Sequence, residues 1–301
     1  MITRDPNWPR ASDWLAGEHA PDPARRLQVL GAPVRLGSLS GGRFDLAPGA
    51  IRAALDGFST FDGELDVRAV SVQDGGDLAV ADRSPEDALD EIAGAVGGSV
   101  PHSDAVVLLG GDNSATRPAV RGLGPDLDRV GLVTIDAHHD LRDTGDGLTN
   151  GNPVRALLED GLPGSNVVQL GIQPFANSEA YAAVARDAGI AVRTVDELRR
   201  SGLASSLRAA LDELGARVDA IHVDLDLDVL DRAFAPACPG SRPGGLHPSE
   251  VLGAASAAGE HPAVRSLDIV EVDPERDVAE ATVLTAAACV LRFGSGLARR
   301  G

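Results

Sequence analysis

The sequence predicts an α/β fold in which helices cover both faces of a parallel sheet. Eight short, apolar, β-branched segments alternate along the chain with segments of helical spacing. The apolar segments are nearly continuous, as expected for strands that are buried on both faces. No internal repeat or long linker divides the 301 residues, so we expect one domain.

The predicted elements follow one another in a regular order. Residues 1–24 are rich in Pro, Asp and Trp and have no clear period, so we expect an arm lying on a domain of residues 25–301. An eight-stranded β/α barrel shows the same alternation and is the alternative on pattern alone. The predicted strands are residues 27–32, 67–72, 105–109, 130–135, 167–172, 190–195, 220–225 and 264–272. The clearest predicted helices are residues 85–96, 177–188, 204–214 and 249–258, two of them preceded by Ser-Pro or Pro-Ser signals.

Composition excludes several functional classes. The formal net charge of −18 argues against a general nucleic-acid binder and against docking on anionic lipid. The sequence contains no Lys, which excludes Schiff-base chemistry and a P-loop lysine. Two cysteines make neither a disulfide framework nor a cysteine-based zinc site. With no apolar run of about 18 residues and no signal-peptide pattern, we expect a cytoplasmic protein without a membrane partner.

Polar motifs follow four of the predicted strands. Gly-Gly-Asp-Asn-Ser (110–114) ends the third, Asp-Ala-His-His-Asp (136–140) the fourth, Asp-Leu-Asp (226–228) the seventh and Glu-Val-Asp-Pro (271–274) the eighth. The carboxyl ends of strands line the ligand crevice in open α/β sheets. The placement of these motifs therefore predicts a site at that edge.

The carboxylates and the imidazole in these motifs indicate a metal centre. Alternate residues of an extended segment share a face, so Asp136, His138 and Asp140 are expected to point into one cleft, as are Asp226 and Asp228. Four carboxylates in one crevice require a compensating cation. Oxygen ligands with one imidazole suit Mn²⁺, and less well Mg²⁺, Zn²⁺ or Ni²⁺. The alternative is a set of solvated turn residues.

The same motifs resemble those of the ureohydrolase family, which includes arginase, agmatinase, guanidinobutyrase and formimidoylglutamase. The resemblance also covers Ala-Phe-Ala-Pro (233–236) and Gly-Gly (244–245), and extends over roughly residues 25–295. It implies a three-layer α/β/α fold with an eight-stranded parallel sheet, arginase-like, which displaces the barrel. It also implies two Mn²⁺ per chain and a metal hydroxide that attacks an amidine or guanidine carbon.

The resemblance assigns roles to individual residues. Asp136 and Asp226 would bridge the metals, and His138 and Asp228 would complete one site. The remaining implied roles are Asp140 and Asn113 as ligands of the other metal and Glu271 as the anchor of the cationic substrate nitrogens.

Two positions depart from the family pattern. Asn113 stands where the family usually has His, and because an amide is a poorer donor than imidazole we expect its metal to bind more weakly. Asn150 stands where arginase and agmatinase have a proton-shuttling His, and it cannot titrate. Asp140, Glu271 and Asn150 are nevertheless the expected catalytic residues. His139 is expected to point away from the cleft, at the sheet edge or surface.

The substrate is the least determined part of the prediction. The motif around Asp140 resembles the formimidoylglutamase branch, which hydrolyses N-formimino-L-glutamate to glutamate and formamide. Arg142, Arg155 and Asn152 are the expected substrate-binding residues besides Glu271 and Asn150. The alternatives are a guanidino hydrolase of the agmatinase, guanidinobutyrase or arginase type that releases urea, and a metal-poor, non-catalytic member. The resemblance also implies a homo-oligomer, a trimer or a hexamer.

Overall fold

The strands of the computed structural model, which describes residue 5 and residues 7–301, form a single parallel sheet. The strands are β1 (Arg25–Ala32), β2 (Val70–Asp77), β3 (Ala105–Gly110), β4 (Val130–Ile135), β5 (Val167–Ile172), β6 (Ala191–Thr194), β7 (Ala220–Asp226) and β8 (Val264–Val270). Their order across the sheet is β2-β1-β3-β8-β7-β4-β5-β6, and every pairing is parallel. The sheet is open, with β2 and β6 at its edges, which confirms the α/β prediction and excludes the barrel.

Burial separates the central strands from the edges. Every residue of β3, β4, β5 and β7 is buried, as the apolar segments predicted. The edge strand β6 alternates between exposed and half-buried residues, and β2 becomes exposed after Val72. The expectation that all eight strands are buried on both faces is therefore wrong for the edges. Residues 67–69, which were expected to begin a strand, form a 3-10 turn ahead of β2.

Helices flank the sheet on both sides. The predicted helices are present with slightly different bounds, and several shorter ones accompany them. The helices are α1 (Ala11–Leu15), α2 (Ala47–Ala54), α3 (Pro85–Ser99), α4 (Thr116–Arg121), α5 (Pro153–Glu159), α6 (Glu179–Ala188), α7 (Val195–Ser201), α8 (Leu203–Gly215), α9 (Pro248–Glu260) and α10 (Ala281–Arg299). As expected, Ser84 caps α3 by accepting a hydrogen bond from the backbone N–H of Asp87.

The last helix, α10, is part of the core. In the described part of the chain it is the one helix long and apolar enough to cross a membrane, but 67% of its most apolar window is buried inside the protein. It packs closely against α9, because a Cβ added at Gly296 would lie 2.1 Å from the carbonyl oxygen of Ser256. This backbone contact is that of a core helix pair, which explains its apolar composition.

The segment before β1 packs on the domain through α1. Trp14 is fully buried, and its indole N–H donates a hydrogen bond to the carbonyl oxygen of Val70, 2.9 Å away. Residues 1–4 and 6 of the expected arm lie outside the described residues. The division of the chain at residue 24 stays a prediction.

Candidate active site

Four adjacent strands at the centre of the sheet deliver the polar motifs to one place. The strands β3, β8, β7 and β4 are neighbours, and the four motifs follow their carboxyl ends. Because the strands are parallel, these ends meet at one edge of the sheet. A cavity of 170 Å³ lies there, and its lining includes His138, Asp140, Asp226, Asp228 and Glu271.

One group of side chains in the cavity has the spacing of a metal site. Nδ1 of His138 is 2.9 Å from Oδ2 of Asp228 and 3.5 Å from Oδ1 of Asp136. The three ligand atoms lie within 4.8 Å of one another. The charge of Asp228 raises the pKa of His138 to about 12, against the effect of burial. Burial tends to raise the pKa of Asp228, but His138 outweighs it and lowers that pKa.

Turns, rather than extended strands, determine the direction of the His138 and Asp228 side chains. β4 ends at Ile135 and β7 ends at Asp226, so the motifs lie largely beyond the strands. Oδ1 of Asp136 accepts a hydrogen bond from the backbone N–H of His138 at 2.7 Å, and Asp226 holds Asp228 in the same way at 2.7 Å. The expected convergence is therefore present, but the simple alternation that predicted it is wrong.

A second group, formed by Asn113, Asp140 and Asp226, lies beside the first. Burial and the charge of Asp136 raise the pKa of Asp140 well above its usual value, and burial with Asp228 does the same for Asp226. Asp140 has a left-handed backbone conformation, with φ of 53°. Nδ2 of Asn113 donates a hydrogen bond to Oδ2 of Asp140 at 2.5 Å. This group contains no basic side chain of its own.

Glu271 joins the second group to the loop that carries Asn150. Its Oε1 accepts hydrogen bonds from the backbone N–H of Asn113 at 2.8 Å and from Nδ2 of Asn150 at 2.9 Å. Burial and the nearby charge of Asp112 raise the pKa of Glu271 to about 8. Glu271 also has a positive φ of 64°, which is uncommon outside glycine and frequent at functional sites. Asn150 thus supports Glu271, a contact that the sequence did not predict.

Two of the expected substrate-binding residues do not reach the cavity. Arg155 instead pairs with Glu159, its Nε lying 2.7 Å from Oε1 one helical turn away. Asn152 is buried, and its Nδ2 donates hydrogen bonds to the carbonyl oxygens of Asp143 and Gly147. Both residues therefore shape the loop and helix beside the cavity.

His139 points away from the cavity, as expected, but it is buried rather than at the surface. Its Nδ1 is 2.6 Å from Oε1 of Gln169, a residue of the neighbouring strand β5. Burial lowers its pKa. The interpretation as a surface or sheet-edge histidine is therefore wrong, because the turn after β4 folds this side chain back against the central sheet.

The rim of the cavity carries two arginines. Arg142 lines it, and its guanidinium forms no hydrogen bond or ion pair within the described residues. Sequence reasoning missed Arg242, whose Nη1 donates hydrogen bonds to the carbonyl oxygens of Pro239, Gly240 and Ser241. Tyr181 also lines the cavity. Nothing in the sequence distinguishes Arg242 from the other arginines, except that it lies shortly after the 226–236 motif.

The donor set fits a hard divalent cation. Carboxylates with raised pKa values repel one another when ionised, and a cation between them removes that cost. Oxygen atoms with one imidazole match the preference of Mn²⁺. Of the six expected ligands, Asp136, His138 and Asp228 form one close group, Asn113 contacts Asp140, and Asp226 lines the same cavity as Asp140 and Asp228. Their role as metal ligands stays a prediction.

Comparison with known proteins agrees with this geometry. The family model described as Arginase family matches residues 25–294. The chain belongs to the arginase family. It is accordingly a hydrolase that acts on carbon–nitrogen bonds of linear amidines, as predicted.

Individual relatives of this arginase-family chain agree with the match. The chain is 34% identical to the formimidoylglutamase of Bacillus subtilis (strain 168) over 98% of its length and 94% of that protein. It is 36% identical to the formimidoylglutamase of Halalkalibacterium halodurans, over 89% of this chain and 86% of the relative. The crystal structure of the Bacillus subtilis protein superimposes with a TM-score of 0.91 at 31% identity, covering 100% of this chain and 95% of that one. A Trypanosoma cruzi formiminoglutamase with Mn²⁺, at 24% identity and a TM-score of 0.87 over 98% of this chain and 100% of that one, shares the fold.

Proposed function

We propose that the protein hydrolyses N-formimino-L-glutamate to L-glutamate and formamide, with two Mn²⁺ per chain. The main support for this proposal is the distribution of charged side chains in the cavity. Its base is lined by buried carboxylates, and its rim presents Arg142 and Arg242. N-formimino-L-glutamate has a cationic formimino group on its α-nitrogen, an α-carboxylate on the adjoining carbon and a γ-carboxylate at the far end, so its charges match both. The similarity to two formimidoylglutamases supports the same substrate.

The two groups of side chains would each hold one cation. Asp136 and Asp226 would serve both groups, because both are buried and the charge of Asp136 raises the pKa of Asp140 and of Asp226. When bound, the cations would activate a water molecule for attack on the formimino carbon. Mn²⁺ is proposed because of the donor set and because the related Trypanosoma cruzi protein is described with Mn²⁺.

Side chains of the second group would manage the protons and the substrate. As the water oxygen adds to the formimino carbon, Asp140 takes the released proton at its carboxylate and returns it to the glutamate nitrogen, whose bond to carbon breaks. Oε2 of Glu271 accepts no hydrogen bond within the described residues and is available to the amidinium N–H groups. Asn150, which cannot transfer a proton, would hold Glu271 in place.

The rim arginines would fix the anionic end. Among the described residues, Arg242 forms hydrogen bonds through Nη1 alone, so Nη2 and Nε are available to a carboxylate. The side chain of Arg142 crosses Gly151, where an added Cβ would lie 2.6 Å from its Cδ. Glycine at 151 therefore makes room for this arginine at the mouth of the cavity.

Product analysis tests the proposed reaction. Mn²⁺-loaded, dialysed protein is assayed with formiminoglutamate, agmatine, guanidinobutyrate and arginine, and its metal content is measured. Release of formamide with about two metals per chain is expected. Urea as the main product would mean that the substrate is a guanidino compound and not formiminoglutamate. Absence of both bound metal and turnover would mean that the protein is a non-catalytic member of the family.

Arginine variants test how the substrate is held. Arg142→Ala and Arg242→Ala are each expected to raise KM for formiminoglutamate about tenfold, because a charged hydrogen bond to a carboxylate contributes roughly 1.5–3 kcal/mol. Arg129→Ala is the control, since Arg129 pairs with Asp219 at the opposite end of β4 and should leave KM unchanged. Unchanged KM in both rim variants, with formamide still released, would refute the rim assignment alone.

A further inference from the structure

The side-chain amide of Asn113 is enclosed by two different neighbours. Its Nδ2 faces Oδ2 of Asp140 at 2.5 Å, and its Oδ1 faces Oγ1 of Thr116 at 2.6 Å. Asn113 is 1% exposed and Thr116 is fully buried. An amide presents two donors on one side and an acceptor on the other with nearly the same shape. A half-turn about the Cβ–Cγ bond therefore exchanges oxygen and nitrogen without moving other atoms.

With the Asn113 amide in this orientation, the single hydroxyl hydrogen of Thr116 faces two acceptors, Oδ1 of Asn113 and a carboxyl oxygen of Asp268. Its Oγ1 is also 2.9 Å from Oδ2 of Asp268, which is fully buried. One hydroxyl hydrogen cannot serve both the Asn113 oxygen and the Asp268 carboxyl group. Oδ1 of Asp268 already lacks any hydrogen-bond partner within the described residues. Oδ2 of Asp268 also lies 3.2 Å from Nε2 of His222, but that nitrogen forms no aligned hydrogen bond within the described residues. Thr116 is therefore the one hydrogen-bond donor to Oδ2 among the described residues.

The half-turn resolves this conflict. Nδ2 of Asn113 would then donate to Oγ1 of Thr116, whose hydrogen would go to Asp268. On the other side, the amide oxygen would face Asp140. Two oxygens at this distance attract only when a proton or a metal cation lies between them, and an amide binds a metal through its oxygen, so the turned amide is the form suited to binding a metal.

We propose that Thr116, supported by Asp268, is a positioning residue that turns the oxygen of Asn113 toward Asp140, so that this amide binds the more weakly held metal. Thr116 does not touch the metal. It distinguishes the two ends of the amide because it can accept from nitrogen while donating to Asp268. The inference rests on the proposed metal site and is independent of the substrate.

Metal titration of the whole protein provides the test. Thr116→Val keeps the shape and removes the hydroxyl, and it is expected to weaken Mn²⁺ binding at the Asn113 site at least about tenfold, the usual effect of losing a partner that orients a ligand. The affinity of the His138 site should stay the same. Thr116→Ser retains the hydroxyl and should bind within about twofold of the unaltered protein. Thr116→Val with unchanged affinity at both sites would overturn the inference.

Repeating the Thr116 substitution in an Asn113→Asp variant separates an effect on the orientation of the amide from an effect on packing. Asn113→Asp has two equivalent oxygens, so there is no nitrogen to turn away. Adding Thr116→Val to this variant should change Mn²⁺ affinity by no more than about twofold. An equal tenfold loss in both backgrounds would mean that Thr116 acts through the fold, which overturns the inference. If the unaltered protein binds no Mn²⁺, the proposed metal site and this inference both fail.

A neutron structure of the Mn²⁺-loaded, deuterium-exchanged protein provides a measurement without variants. The inference expects both deuterons of the Asn113 amide on the Thr116 side. Deuterons directed at Asp140 or at the metal would overturn it.

Discussion

The two halves of the metal site differ in how they balance charge. In the first half, Asp136, His138 and Asp228, the imidazole lies against two carboxylates and its pKa is raised to about 12. In the second half, Asn113, Asp140 and Asp226, two carboxylates with raised pKa values accompany a neutral amide. The first half supplies its own counter-charge. In our proposal, the second group depends on a bound cation and on neighbours that orient its amide.

Removing a shared carboxylate should abolish the distinction between the halves. Asp226→Ala is expected to lose both metals and nearly all activity, because Asp226 is buried close to the charges of Asp228 and Asp136 and is the carboxylate proposed to serve both cations. Metal content after dialysis and the rate of formamide release measure this. Asp226→Asn, which preserves shape and removes only charge, should fail in the same way. Full activity in Asp226→Ala would disprove the bridging assignment.

Replacing the Asn113 amide with an imidazole should give the two halves of the site similar affinities for Mn²⁺. Asn113→His is expected to tighten binding at the weaker site by about tenfold or more, since imidazole is the better ligand for a transition metal. Calorimetric titration with Mn²⁺ should show two separated affinities in the unaltered protein and similar affinities in the variant. Two equally tight metals in the unaltered protein would contradict the assigned weakness of Asn113.

The pH dependence of stability provides the smallest expected effect. The folded pKa of Asp136 is raised to about 6 and that of Glu271 to about 8. A carboxyl group with a raised folded pKa binds more protons in the folded state, so its contribution is present below the unfolded pKa and is lost as pH rises through the folded value. For chelator-treated protein we therefore expect Tm to fall between pH 5 and pH 8. Mn²⁺ should reduce that fall.

The Glu271→Gln variant measures how much the Glu271 carboxyl group contributes to the fall in Tm with pH. The glutamine remains neutral, so the part of the fall between pH 6 and pH 8 should shrink by a few degrees. An identical pH profile in the variant would show that Glu271 is ionised across this range. The Mn²⁺ content of the variant serves as the control for an intact site.

The sequence predicted the architecture and the location of the site for a physical reason. Buried parallel strands must be apolar, so a polar motif at the end of one is easily recognised; five of the six expected ligands follow such strands and Asp226 ends β7. Turns were less predictable. The motifs around His138 and Asp228 were expected to be extended, yet both are shaped by an aspartate that caps the following backbone N–H groups.

Individual side-chain contacts account for the remaining errors. Arg155 and Arg142 look equivalent in sequence, but only Arg155 has an acidic partner one helical turn away. His139 finds its partner Gln169 thirty residues along the chain, on a neighbouring strand. Arg242 reaches the rim because its own loop carbonyls hold it there. The contact between His139 and Gln169 leaves no local pattern in the sequence, whereas the Arg155–Glu159 pair is a local pattern, four residues apart in a helix.

The strand order has a consequence for the way in which the molecule is synthesised. β7 and β8 lie in the middle of the sheet but come last in the chain, so β3 and β4 cannot be joined until residues 220–270 have left the ribosome. Until then the nascent chain carries two partial sheets with unpaired inner edges, which invite wrong pairing. Insertion of the last two strands closes the gap and brings all four ligand motifs together in one step. A chain truncated before β7 would therefore have neither a continuous sheet nor a complete metal site.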